Sequence, residues 1–376
     1  MKMTPQGYLR PVAARQLNQA EEKTLRTVCS GRQLTQPRAT DDGIYHKLWG
    51  PLQSVETGFS TDPDVRYRGS SGGVISAISL FLLESGAVEF ILQTSADPDD
   101  PIGNVTRVSS SRQDILDAAG SRYAPSAPLA DLEKYLSLGK RFAFVGKPCD
   151  VATLRKMELT DARIAYLIPY KLAFFCAGVP SRIGTHKVLE KLGVPPSELA
   201  KFAYRGRGWP GLTRARRHDG TEESMDYNSS WGTILNRHLQ FRCKVCVDGI
   251  GEFADIACAD AWYGKDGYPD FTEQEGRSLI VARTDTGRQL VALMRSKGKL
   301  VGEALDAEKI GEMQPYQKER RRAVLARLIG VALKGRKPSR YWNFGLLSLT
   351  LRSSPIWLLR NVWGTFRRTP FKGPMY

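Results

Sequence analysis

RGSSGGVISAISLFLLESG, residues 68–86, is the stretch whose reading decides the fold. Its first six residues are turn formers. From Val74 the apolar side chains recur at helical spacing until Gly86 closes the run, which predicts a helix over 74–85. Outward from it, β-branched and aromatic runs alternate with helical ones. A strand is expected at Val88–Thr94, helices at Gln113–Ala119 and Leu129–Leu138, and a strand at Arg141–Val145. A helix near Val151–Met157, a strand within Ala165–Phe175, a strand at Ser278–Arg283 and a helix at Thr286–Ser296 follow. This alternation predicts an α/β (α+β) chain with a mixed or parallel sheet flanked by helices. Between Leu199 and Arg277 the pattern gives way to short strands and loops around Cys243.

With 376 residues, 41% hydrophobic and 25% charged, the chain has the composition of a globular protein long enough for two domains or one large one. The start is polar and lacks the apolar core of a signal peptide. The longest apolar run, Val74 to Leu83, is far shorter than the ~20 residues that span a bilayer. The expectation is a cytoplasmic protein.

The net charge of +16 is concentrated at one end. Residues 311–376 hold fourteen Lys/Arg against two Glu, a net +12, interleaved with Trp342, Phe344, Leu346, Leu347, Leu349, Trp357, Leu358, Leu359, Trp363 and Phe366. A helical stretch at Lys318–Leu333 leads into this basic tail. Three uses compete: a solvated helix, a docking patch for a partner subunit, or contact with an anionic membrane surface. The last would make the protein peripheral on the inner face of the cell membrane. No nucleic-acid-binding motif is present, so nucleic acid is not an expected partner.

Six cysteines stand at 29, 149, 176, 243, 246 and 258. In a reducing compartment they point to metal or redox use before disulfides. Only Cys243 and Cys246, in FRCKVCVDG, have ligand spacing. Cys149 follows a strand and a proline in FVGKPCD, and Cys176 ends an apolar strand in FFCAGVPS. Four thiolates would serve a 4Fe–4S cluster or a structural zinc equally. Cys258, in ADIACADAW, and Cys29 read as small buried hydrophobes. RGSSGG ahead of a helix offers backbone N–H groups and hydroxyls to a phosphate, with Arg68 adding charge. Alternatively, Ser70 or Ser71 is a plain N-cap. GSRYAPSAP, residues 120–128, is a second loop that either touches a nucleotide or is a surface turn. GRGWPG, residues 206–211, fits the spacing of a dinucleotide fingerprint but contains a proline and lacks the following helix, so it is read as a loop. None of the four histidines falls in a hydrolase or metalloenzyme motif.

Taken in order, RGSSGGVISA, GSRYAPS, FVGKPCDVATLRK, FFCAGVPS, YRGRGWPG, CKVCVDGIGEFADIACADAW and EGRSLIVART resemble the coenzyme F420 hydrogenase/dehydrogenase beta-subunit family. That family includes plant 7-hydroxymethyl chlorophyll a reductase and the similar divinyl chlorophyllide 8-vinyl reductases. The resemblance covers residues 66–284. It implies FAD at Ser70, Ser71, Gly72 and Gly73, with Arg68, Ser121, Arg122 and Tyr123 assisting. It also implies one 4Fe–4S cluster on Cys149, Cys176, Cys243 and Cys246. Lys147, Arg205, Trp209 and Asp260 fall in family-like motifs, and the catalytic residues are not assigned. Residues 1–63 would be a reduced remnant of a ferredoxin-like segment, residues 64–310 the flavin- and cluster-binding region with the cluster segment inserted, and residues 311–376 the basic helical tail. The implied function is electron transfer between a ferredoxin-like or deazaflavin carrier and an organic substrate. An F420-linked beta subunit of a larger complex is the second reading, and a zinc-stapled, membrane-associated binding protein the third. The expected partners are a ferredoxin-like donor or redox subunit, with a homo-oligomer as the alternative assembly.

Overall fold

The computed structural model describes residues 1–37, 44–265 and 268–371. Among them, one sheet of eight strands organises the chain. In chain order these are β1 (Ser54–Ser60), β2 (Phe90–Ala96), β3 (Asn104–Ser109), β4 (Phe142–Gly146), β5 (Tyr170–Phe174), β6 (Ile256–Asp260), β7 (Ser278–Ala282) and β8 (Leu300–Ala304). Across the sheet the order is β8-β1-β7-β6-β5-β4-β2-β3. The central four, β6, β5, β4 and β2, run parallel to one another, whereas β7, β1, β8 and β3 pair antiparallel. The expected mixed sheet is therefore present.

The strands are apolar on both sides because helices cover both faces, as buried parallel strands require. Their side chains alternate between two cores. Ile91, Ala143, Val145, Leu172, Ile256 and Ile280 point to one face, against α1 (Val74–Glu84) and α4 (Asp285–Ser296). Phe90, Leu92, Phe142, Phe144 and Ala173 point to the other, against α2 (Pro148–Glu158) and the helix Ala162–Leu167. Each such Leu, Ile or Phe contributes about 1.5–3 kcal/mol by leaving water. Cys258 lies in the first core, and burial pushes its thiol up to about 12. It behaves as the small hydrophobe its context suggested.

Three departures from the sequence reading have physical causes. Strand β1, ahead of residue 64, is not visible in the sequence because SVETGFS carries buried Glu56, Thr57 and Ser60 and so lacks an apolar period. Proline at the first helical position starts α2 at Pro148, three residues before the apolar spacing shows it. The helix that begins the basic tail, α5 (Pro315–Leu333), is built into the body. Its Val324, Leu328 and Val331 pack with Val245, Val247, Leu34 and Phe344. Beyond it, Arg340–Trp342 pairs in parallel with Gln33–Thr35, so segments from the two ends of the chain meet. The short helix Leu346–Leu351 and α6 (Pro355–Arg368) complete the described chain, α6 lying along α5. α3 (Arg182–Leu192) and a three-stranded antiparallel sheet, Leu199–Ala203, Thr213–Arg217 and Glu222–Met225, form a lobe with its own core around Val188, Phe202 and Tyr204.

Candidate functional site

The carboxyl ends of β1, β4, β5 and β6 lead into the loops that carry the motifs, and α/β proteins place their ligands at such strand ends. Ser71 lies over the start of β7, its hydroxyl donating to the Arg277 carbonyl at 2.9 Å and lying 3.0 Å from Ser278 Oγ. The Gly72 N–H donates to Ser278 Oγ at 2.9 Å. Neither serine caps α1. Its N-cap is Gly73 in the left-handed region (φ 71°), with no side-chain hydrogen bond. The N-cap role considered for Ser70 or Ser71 is thus not taken, since Ser71 is spent on the sheet.

The first two glycine-serine loops meet: the Ser121 hydroxyl donates to Ser70 Oγ at 2.8 Å. The loop at 205–211 joins them, with the Gly208 N–H donating to the Tyr67 carbonyl at 3.1 Å. That loop sits between two strands, as its proline foretold. It is fastened to the end of β6 by Arg205, which donates to both Asp260 oxygens at 2.9 and 2.7 Å, and by Trp209 Nε1, which donates to Asp260 Oδ1 at 2.7 Å. Trp209 stacks on Trp262 with ring centres 4.7 Å apart. The other expected residues lie in or beside these loops and have protein partners of their own. Arg68 pairs with Asp64 at 2.8 Å. Arg122 donates to Asn104 Oδ1 and to the Phe202 and Gly103 carbonyls. Tyr123 packs on Tyr204 and Trp231.

Beside these loops lie the four cysteines, supplied by three separate segments. Cys149 is in the first turn of α2, Cys176 follows β5, and Cys243 and Cys246 belong to the helix Phe241–Lys244 and the turn after it. Each residue keeps a little exposed surface, yet burial is the leading influence on every thiol. Cys176 is pushed up to about 12 by burial and then by Cys243 and Cys149. Two guanidiniums face the group. Burial alone would lower Arg242, but Cys149, Cys246 and Cys243 hold it well above its ordinary value. Burial opposes the charge of Arg320, from α5, as well, but Cys246, then Tyr316, Cys176 and Cys243, hold it up, and it donates to the Cys176 carbonyl at 2.8 Å. A side chain at Gly249 would collide with Arg320. Among the described residues no three His, Cys, Asp or Glu are gathered tightly enough to hold one metal ion.

Lys147 joins the two halves of the site, two residues ahead of Cys149. Its ammonium donates to Ser126 Oγ of the second loop at 2.7 Å and pairs with Asp150 at 2.7 Å. Burial opposes its charge, but Asp150 and Cys149 keep its pKa above the usual lysine value.

Two profiles of one family, described as "Coenzyme F420 hydrogenase/dehydrogenase, beta subunit", cover most of this architecture. The profile of its amino-terminal part matches residues 55–133 and that of its carboxyl-terminal part residues 139–308. The chain belongs to this beta-subunit family. The coenzyme F420 hydrogenase subunit beta of Methanococcus voltae is 25% identical over 75% of this chain and 98% of its own length. That of Methanosarcina barkeri is 25% identical over 61% of this chain and 75% of its own. The rice 7-hydroxymethyl chlorophyll a reductase is 23% identical over 59% of this chain and 46% of its own. A chain of the F420-reducing [NiFe] hydrogenase complex from Methanosarcina barkeri shares the fold. Its TM-score is 0.60 at 18% identity, covering 79% of this chain and 98% of that one.

In this member of the beta-subunit family, both glycine-serine loops fall within the first profile and all four cysteines within the second. Sequence reasoning missed Arg242 and Arg320. Arg242 adjoins Cys243 and could have been suspected, whereas nothing local marks Arg320, which arrives on a helix from the far end of the chain. Among the described residues no helix is long and apolar enough to cross a membrane.

Proposed function

We propose that this protein is an electron-transfer beta subunit that links coenzyme F420 to a partner redox subunit, with FAD at the loop edge and a 4Fe–4S cluster on Cys149, Cys176, Cys243 and Cys246. The observation that carries the reading is the convergence of these cysteines, from three segments, beside Lys147 and the paired Ser70 and Ser121 loops. A flavin exchanges electrons in pairs or singly and a cluster singly, so together the two connect hydride to one-electron chemistry.

The residues present suit both groups. Four cysteine thiolates are a donor set that a 4Fe–4S cluster uses, and a cluster, being wider than one ion, does not need three of them drawn onto a single metal. Arg242 and Arg320 offset the negative charge those thiolates would bring into a buried place. At the loop edge, the uncapped first turn of α1 leaves its N–H groups for an anionic group. Lys147 holds a positive charge between the two places.

The sequence alone places an organic substrate, with a ferredoxin-like or deazaflavin carrier, ahead of an F420-linked subunit of a complex. The relatives' names favour F420 instead: it appears in those of two hydrogenase beta subunits, a sulfite reductase and a formate dehydrogenase beta subunit. The test is anaerobic purification of the protein and of Cys243→Ser/Cys246→Ser, with iron, sulfide, zinc and flavin analysis and an assay of F420 reduction by a viologen donor. The expected result is iron, sulfide and flavin in the parent, with iron lost and flavin kept in the variant. A colourless parent holding zinc, or a variant with full iron and turnover, overturns the reading.

A further inference from the structure

We propose that the outward face of α6, helped by the exposed leucines of the short helix before it, docks on an anionic membrane surface. The inference does not rest on the redox reading, because it concerns a surface remote in sequence from the loops and cysteines. From Arg320 to the last residue the chain holds thirteen Lys/Arg and no Asp or Glu. The structure sorts these cations into two groups. Arg320, Arg321 and Arg327 are engaged inside, on carbonyls of the cysteine segment and on Glu252. Arg352, Arg360, Arg367 and Arg368 remain exposed on or beside α6.

The residues of α6 divide as sharply. Thr365 is buried against α5, where Gly330 lets the two helices approach closely. On the outward side Ile356, Leu359 and Trp363 follow one another at three and four residues, 65%, 67% and 61% exposed. Helical geometry puts them in one stripe. Arg360 stands four residues after Ile356 and Arg367 four after Trp363, so both lie along one edge of the stripe. In the preceding helix Leu347 and Leu351, also four apart, are 65% and 77% exposed. An apolar stripe bordered by arginines, in a segment without acids, is the layout of a helix lying in a headgroup layer. Its apolar side enters the acyl boundary while the guanidiniums stay with lipid phosphates. At 14 residues α6 is too short to cross a bilayer and would lie along its surface.

Flotation of the full chain with phosphatidylcholine vesicles, with and without phosphatidylglycerol, tests this at low and high salt. The expected result is flotation with the anionic vesicles only, reversed by salt. Arg360→Gln/Arg367→Gln should weaken binding about thirtyfold, equivalent to about 2 kcal/mol, at about 1 kcal/mol per basic residue near the surface. Leu359→Ser/Trp363→Ser should weaken it at least about tenfold. All four side chains are exposed, so both variants should unfold at the parental midpoint. No flotation with anionic vesicles at low salt, or undiminished flotation of both variants, overturns the proposal. So does a dimer in solution that hides Trp363, because a second copy would then be the occupant.

Discussion

Replacing Asp260 by asparagine tests whether the 205–211 loop is clamped to the sheet by charge. In the native chain the carboxylate accepts three hydrogen bonds, two from Arg205 at 2.9 and 2.7 Å and one from Trp209 Nε1 at 2.7 Å. The Arg205 side chain is only 3% exposed and Asp260 19%. Burial pulls the Arg205 pKa down, and Asp260 more than restores it. Asparagine keeps one acceptor, enough for Trp209, but leaves a buried guanidinium without its counter-charge. Breaking one side of such a pair costs about 3–5 kcal/mol. Because water reaches part of Asp260, the lower end applies, about 3 kcal/mol. Asp260→Ala should lose about 1 kcal/mol more, since Trp209 Nε1 then has no partner. Urea unfolding gives the loss as a fall in midpoint at unchanged slope. Adding Arg205→Met to Asp260→Asn should recover part of the loss, because the stranded charge is gone. A cost below about 1 kcal/mol for Asp260→Asn, or losses that simply add in the double variant, would refute the clamp.

Two further substitutions probe the scaffold. At Gly72 a Cβ would stand 2.6 Å from the Gly58 carbonyl oxygen and 2.8 Å from the Ser278 nitrogen, both backbone atoms of neighbouring strands. Gly72→Ala should therefore cost about 1–3 kcal/mol in urea unfolding and lower the flavin content of the purified protein. Asp114 is held down to about 2 by Arg107 and Ser111. A carboxylate depressed in the folded state stabilises above its unfolded pKa, so its contribution should fade as pH drops from about 4 toward 2. Asp114→Asn should lose about 1 kcal/mol at neutral pH and show a flatter loss across that acid range, read by unfolding at several pH values.

The motifs were legible because each is local. RGSSGG, GSRYAPS, the Cys243/Cys246 pair and the apolar strands declare themselves within a few residues, and the alternation of β2, β4 and β5 between two cores follows from a period of two. Strand β1 was not legible, since Glu56, Thr57 and Ser60 break its pattern, and only the folded chain brings Arg295 of α4 to Glu56. The partners of Arg68, Arg122 and Tyr123 could not be read from spacing either. Asp64, nearby carbonyls and an aromatic cluster reach them only in the folded chain.

By itself, then, the sequence determined the mixed α/β sheet, the glycine loops before α1 and after the helix Arg112–Asp117, and which cysteines to single out. Those features depend on backbone freedom and hydrophobic period, which a short window contains. Tertiary structure alone decided that Ser70 meets Ser121 across 51 positions, and that Lys147 bridges the loop edge to the cysteines. It also decided that the basic tail is divided, with Arg320 and Arg321 turned inward to the cysteine segment while Arg360 and Arg367 stay in water. A charge carries no local signal of its partner. Arg321 finds Glu252 69 residues away, and that distance is closed only when the apolar face of α5 is driven onto the body.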